Sequence, residues 1–203
     1  MMAQPQVLDT QKSPEEILAF WLDELGPANW YKAEAALDRR IRDGFLATWQ
    51  KAQDGAYSLW LTYPSGALAY VILNDQMPRN MFRDEGRAFA SDRQALAAAK
   101  AAIDKGWDMR IDPPARQFFY LPLMHSECLT DQDRCVRLMH DRLPGQGDNL
   151  RHARAHREVI RQFGRFPYRN DALTRHSTAL EVKFLDGGGY DALLKTLNEA
   201  EAA

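Results

Sequence analysis

Three short stretches hold residue types that could do chemistry. Asp75-Gln76-Met77-Pro78-Arg79-Asn80, with Arg83, turns abruptly from a buried apolar run into a carboxylate, two amides and two arginines around a proline. Met124-His125-Ser126-Glu127 follows a second apolar run, and Gly164-Arg165-Phe166-Pro167-Tyr168-Arg169-Asn170 closes a third helix. Read together they form one polar site. Arg79, Arg83, Arg165 and Arg169 would supply the positive charge and forked hydrogen bonding that suit a carboxylate or phosphate. Asp75, Gln76, Asn80, His156 and Asn170 would orient such a ligand. His125 and Glu127 are the best pair for proton transfer. Ser126, adjacent to His125, is a poor nucleophile because neighbouring side chains do not face each other on a helix.

Each stretch also has a plainer reading. A buried Asp75 needs a charge partner, so an Asp–Arg network that fixes helix packing accounts for the first one equally well. His125 lies four residues after Leu121 and seven after Phe118, on an apolar face where most histidines are satisfied core residues. His156 shares a face with Ala153, Ile160 and Phe163 and points inward, whereas His152 reads as surface. His125, Glu127 and His156 show no standard ligand spacing, so no metal and no cofactor are expected.

The elements that must position these groups are helices. Ser13-Pro14-Glu15-Glu16 is a capping box with proline in the first turn, and it opens a helix that Gly26-Pro27 stops. Leu37, Ile41, Phe45 and Trp49 form one helical stripe, and Trp21, Trp30 and Trp49 read as core. Tyr57 to Tyr63 alternates like a strand but has no partner, so it is taken as a short helix or connector. A helix from about Gly66 to Met77 puts Leu68, Val71, Ile72 and Asp75 on one face, and Pro78 must bend or end it because it cannot donate to the carbonyl of Asn74. Asp92 to Lys105 follows, with Ser91 as its cap. Asp112-Pro113 begins an apolar helix through Met124, kinked at Pro122. Later helices run from Thr130 to about Leu143, from Asp148 to Phe163, from a Ser177 cap through Leu185, and from Tyr190 to about Glu199. The fold class is therefore all-α, eight or nine helices with short connections, in a single domain spanning 1–203 whose ends, 1–13 and about 200–203, should fray.

Composition limits the partners. With 45% hydrophobic and 27% charged residues and a net charge of −2, the chain is an ordinary globular one. Nine arginines against four acids between Arg137 and Arg175 make that segment basic, which would draw an anion. One arginine–aromatic stretch in a slightly acidic chain does not indicate nucleic acid. No apolar run approaches a membrane span, and the start lacks the plan of a signal peptide, so the expected setting is cytoplasmic. Cys128 and Cys135 form no CxxC pair. Binding of a small anionic ligand is the first functional reading. A helical module for a peptide or protein partner is the second, and oligomeric state is left open.

The same stretches carry a family resemblance. The chain resembles the bacterial Domain of Unknown Function 924 family from about Ile17 to Leu185. The carriers are Asp75-Gln76-Met77-Pro78-Arg79-Asn80 with Arg83, His125-Ser126-Glu127 with Gln132, His156-Arg157, and Gly164 to Asn170 with Arg175; Trp21 and Trp30-Tyr31 fit its opening. The resemblance implies an all-helical fold similar to tetratricopeptide-repeat proteins, with helix hairpins stacked in an array, and it implies no settled activity. Against the family pattern, Asn74 stands for a usual Leu, Met77 for Phe, Tyr168 for His and Thr174 for Gly. Tyrosine at 168 makes acid–base work there doubtful, since it is scarcely ionised near neutral pH.

Overall fold

The computed structural model describes residues 11–145 and 147–202, with side chains to residue 197. Among them there is no strand, so the all-α class is observed. The expected frayed ends at 1–13 and about 200–203 fall mostly outside the described residues. Lys12 and Ser13 are described and held: Lys12 N–H donates to Thr48 Oγ1 at 3.0 Å, and Ser13 forms the capping box with Glu16.

Helix α1 (Pro14–Leu18) starts on that capping box, as its sequence requires. It then widens into a π-helical segment, Ala19–Leu25, which ends where Gly26 adopts φ +68°. The wider turn lets Trp21 O accept both the Gly26 N–H at 3.3 Å and the Trp30 indole at 2.6 Å. Helix α2 (Ala35–Gln53) buries Ile41, Phe45 and Trp49 along one stripe. A 3-10 turn, Ser58–Thr62, connects it to α3 (Pro64–Val71).

Helix α3 runs unbroken into a π segment, Ile72–Gln76, and on into α4 (Met77–Met81). Helix α5 (Asp92–Asp104) packs on α3 through Ala95, Ala98, Ala99, Ala102 and Ile103. Ser91 is not its side-chain cap. The hydroxyl is buried and turned inward, accepting from Trp49 Nε1 at 2.9 Å and donating to Asn74 O at 2.7 Å.

The apolar segment after Pro113 is not one helix. It is a 3-10 turn, Ala115–Phe119, then the short α6 (Leu121–Met124) with Pro122 in its first turn, where its missing N–H costs nothing. Phe118, Phe119, Tyr120 and Leu123 have no exposure, so the segment is central, as its composition requires. Helices α7 (Leu129–Arg142) and α8 (Gly147–Phe163) pack against each other. After Gly164, α9 (Ala179–Asp186) is capped by Thr178 and Glu181 rather than Ser177, and α10 (Gly189–Ala202) lies on α8. Among the described residues no helix is long and apolar enough to cross a membrane.

Candidate functional site

Pro78 determines the geometry of the first polar stretch. A proline in a helix strands the carbonyl four residues back and clashes with it. Here the helix neither ends nor breaks. The turn before Pro78 is π-helical, so Met77 N–H reaches back five residues to Ile72 O. Asn74 O, which Pro78 cannot serve, receives the Ser91 hydroxyl. The extra residue in the turn projects Asp75 into the interior, with no exposed surface. Asn74 is equally buried, and a polar chain satisfies it: its amide donates to Tyr70 O at 2.9 Å, and Gln53 Nε2 donates to its Oδ1 at 2.8 Å.

Asp75 joins two distant parts of the chain. His125, at the end of α6, places Nδ1 2.8 and 3.0 Å from the two carboxylate oxygens. Gln76 Nε2 donates to Oδ2 at 2.5 Å. Arg79 donates to Asp75 O and lies 3.5 Å from Oδ1. Arg79 also pairs with Asp92 of α5 at 3.0 Å, and Arg169 pairs with the same Asp92 at 3.3 Å. The Arg169 guanidinium is sandwiched between the rings of Phe89 and Phe166, 4.5 Å from each centroid. All three stretches thus meet.

The electrostatics favour an ionised Asp75 and a neutral His125. Burial alone would raise the Asp75 carboxyl, but His125, Arg79 and Gln76 outweigh it and hold the group at about 2. Burial, then the positive Arg79, pushes His125 below the ordinary imidazole value against the pull of Asp75. An ionised carboxylate only accepts, so the shared proton sits on Nδ1 and the neutral ring keeps its lone pair on Nε2. No described residue bonds that nitrogen.

Two cavities open beside the ring. One, of about 170 Å³, is lined by Trp30, Tyr31, Lys32, Gln76, Arg79, Asn80, Arg83 and His125. Its charged liners are three cations, and no carboxylate reaches its wall. The other, of about 270 Å³, is lined by Phe89, Leu96, Pro122 and Leu173 together with Asp92, Arg93, Ser126, Glu127, Arg169 and His125. His125 belongs to both.

Not every residue singled out in the sequence enters this cluster. Glu127 is not paired with His125: Arg175 grips it at 2.8 and 3.0 Å, and Phe166 N–H donates to it at 2.8 Å. Burial would raise Glu127, but these bonds lower its pKa, so it is a fixed anion. The proton partner of His125 is Asp75. Arg165 turns to Glu181, at 2.5 and 2.7 Å, and clamps the start of α9. Asn170 bonds Ser177 and Arg175. Arg83 and Asn80 reach the first cavity while bonded to Asp38.

His156 lines neither cavity. It bonds His152 O and the Tyr190 hydroxyl, its ring 6.3 Å from that of His125. His152 is not simple surface, since Tyr190 OH sits 2.6 Å from its Nδ1. Among the described residues no group of three or more His, Cys, Asp or Glu could hold a metal ion. Sequence reasoning missed Asp92, Asp38 and Lys32. Asp92 looks like an ordinary first-turn acid of an alanine-rich helix, and nothing local marks it as the carboxylate that Arg79 and Arg169 share.

With this geometry in view, comparison with known proteins gives a consistent class. Residues 17–189 match the family described as bacterial protein of unknown function (DUF924), and the chain belongs to that family. A solved structure, a protein of unknown function from Agrobacterium tumefaciens, is 36% identical with a TM-score of 0.81, covering 86% of this chain and 97% of that one. No curated protein sequence matches the chain.

Proposed function

We propose that the chain binds a small anion in the cavity lined by Lys32, Arg79 and Arg83, with His125 exchanging a proton with it. One observation carries this reading. Three cations and no carboxylate line a cavity whose wall includes an imidazole anchored on a buried aspartate and unbonded at Nε2. An imidazole so held is the usual instrument of general acid–base chemistry. Gln76 and Asn80, at the wall, orient the ligand. Binding is tested by thermal denaturation with acetate, succinate and inorganic phosphate. At least one anion should raise the melting temperature of the wild type and not that of Lys32→Ala. No shift with any of the three overturns the proposal. A bacterial cytoplasmic setting is part of this reading.

A second reading is favoured by a different surface. On α9, Leu180 is 72% exposed, Val182 44% and Leu185 37%, beside the Arg165–Glu181 clamp. A peptide or protein partner would cover those side chains, in keeping with a tetratricopeptide-like stack of helix hairpins. Light scattering and hydrogen exchange of α9 with and without a candidate partner decide it. Protection confined to α9 supports the reading, and unchanged exchange removes it.

A further inference from the structure

We propose, resting on the anion-binding reading, that the ligand is a monocarboxylic acid with a short apolar chain that lies across His125. The carboxylate occupies the cavity of Lys32, Arg79 and Arg83. The chain occupies the neighbouring cavity against Phe89, Leu96, Pro122 and Leu173.

Three observations converge on this. The first is adjacency. His125 lines both cavities, and the Arg79–Asp92 pair joins a liner of one to a liner of the other at 3.0 Å. His125 keeps 15% side-chain exposure, so a ligand lying over it reaches the ring. Either volume alone, about 170 or 270 Å³, is below the range typical of small-molecule sites; together they fall within it.

The second is charge. Arg79, Arg83 and Arg169 pair with Asp75, Asp38 and Asp92, three against three, and Lys32 adds one surplus positive charge at the wall of the first cavity. Among the described residues the Lys32 ammonium bonds only the neutral Asn29 side chain. One surplus charge balances a carboxylate and would be overrun by a phosphate dianion. Arg93, exposed like Lys32, lines the second cavity, and the glutarate arm of the test below reads its part in binding.

The third is chemistry of the walls. In the second cavity the acids are already engaged: Asp92 by Arg79 and Arg169, Glu127 by Arg175. Apart from Arg93, what they leave for a ligand is the apolar surface of Phe89, Leu96, Pro122 and Leu173, which favours methylene groups. His125, between the two halves, then lies beside the carboxylate end of the chain, where its free nitrogen can accept a hydrogen bond.

The test is calorimetry on the full chain with acetate, butyrate, hexanoate, glutarate and inorganic phosphate, alongside Leu96→Gln. Leu96 is only partly buried, so the variant should fold. In the wild type each added methylene should tighten binding about fourfold until the second cavity is filled. Leu96→Gln should bind acetate normally and lose that gain. Equal affinity for acetate and hexanoate, with both bound, overturns the inference and leaves the anion reading standing. Tighter binding of phosphate, or of glutarate over monocarboxylates, also overturns it, the latter by bringing Arg93 into the site. If no anion binds, the anion reading itself falls.

Discussion

Two regions of this molecule use the same side chains to different ends. At the 165–181 corner, Arg165 is bidentate to Glu181 and Arg175 is bidentate to Glu127, each guanidinium with one carboxylate of its own. The remaining oxygen capacity is taken by backbone: Phe166 N–H on Glu127, Thr178 N–H on Glu181. These pairs are closed, and they pin the chain entering α9. Around Asp75 the pairing is open. Arg79 and Arg169 share Asp92, Asp75 is held by an imidazole as well as a guanidinium, and no described residue partners the far nitrogen of that imidazole. Arginine–carboxylate pairs therefore do not by themselves mark a site. What marks it is a donor or acceptor left over when the pairing is complete.

The largest test of that contrast is Asp75→Ala. Removing a fully buried carboxylate takes the acceptor from His125 and Gln76 and leaves Arg79 with Asp92 alone, and truncating one member of a buried charge cluster costs about 3–5 kcal/mol. Urea unfolding should show that loss. Arg175→Met, which breaks a clamp whose two side chains keep 23% and 29% exposure, should cost less, about 1–2 kcal/mol. Equal costs would erase the distinction between the two regions.

Acid should act next. Burial, then His125, pushes His156 down to about 3 from the ordinary value near 6.5. Its folded pKa lies below its unfolded one, so the unfolded chain takes up the proton first. The contribution of this residue to stability is complete above pH 6.5 and is lost as pH falls from about 6.5 towards 3. At pH 5 the loss should be about 2 kcal/mol, at one proton per unfolding event. Denaturant midpoints between pH 7 and pH 5 measure it, and His156→Gln should flatten the slope by one proton.

How much of this was legible beforehand follows from what is local. Capping boxes, glycine stops and apolar stripes are nearest-neighbour signals, and Ser13, Gly26, Gly164 and the α2 stripe behaved as they read. The π turn was half visible: Pro78 announces that Asn74 O must find another donor, but Ser91 as that donor is a tertiary fact. Asp75 and His125 read correctly as inward-facing. Their pairing did not, because nothing in Glu127 reveals that Arg175, forty-eight residues on, claims it. Partner choice among arginines is a matter of folding topology, and spacing does not encode it.

Thr174 sits at φ +52°, the left-handed region that β-branched residues avoid and glycine adopts freely. The strain is about 1 kcal/mol or somewhat more. Thr174→Gly should therefore stabilise the chain by up to about that amount in urea, despite the extra freedom glycine gives the unfolded state. A net loss would mean that the Thr174 hydroxyl bond to Leu173 O, at 2.8 Å, outweighs the strain. Because Thr174 belongs to the closed corner, the substitution should leave anion binding untouched.

The smallest effect separates the two candidate partners of His125. Arg79 lowers the imidazole and Asp75 raises it, while Glu127 is turned away in its own clamp. Arg79→Met should therefore move the His125 titration upward in an NMR pH series, and Asp75→Asn should move it downward. Glu127→Gln should leave it where it is. A downward shift in Glu127→Gln comparable to that in Asp75→Asn would restore Glu127 as a proton-transfer partner, and the open region would then extend into the clamp instead of ending at Asp75. The absence of such a shift, with both other shifts present, isolates one carboxylate, one imidazole and one guanidinium as the unit whose spare valence faces the two cavities.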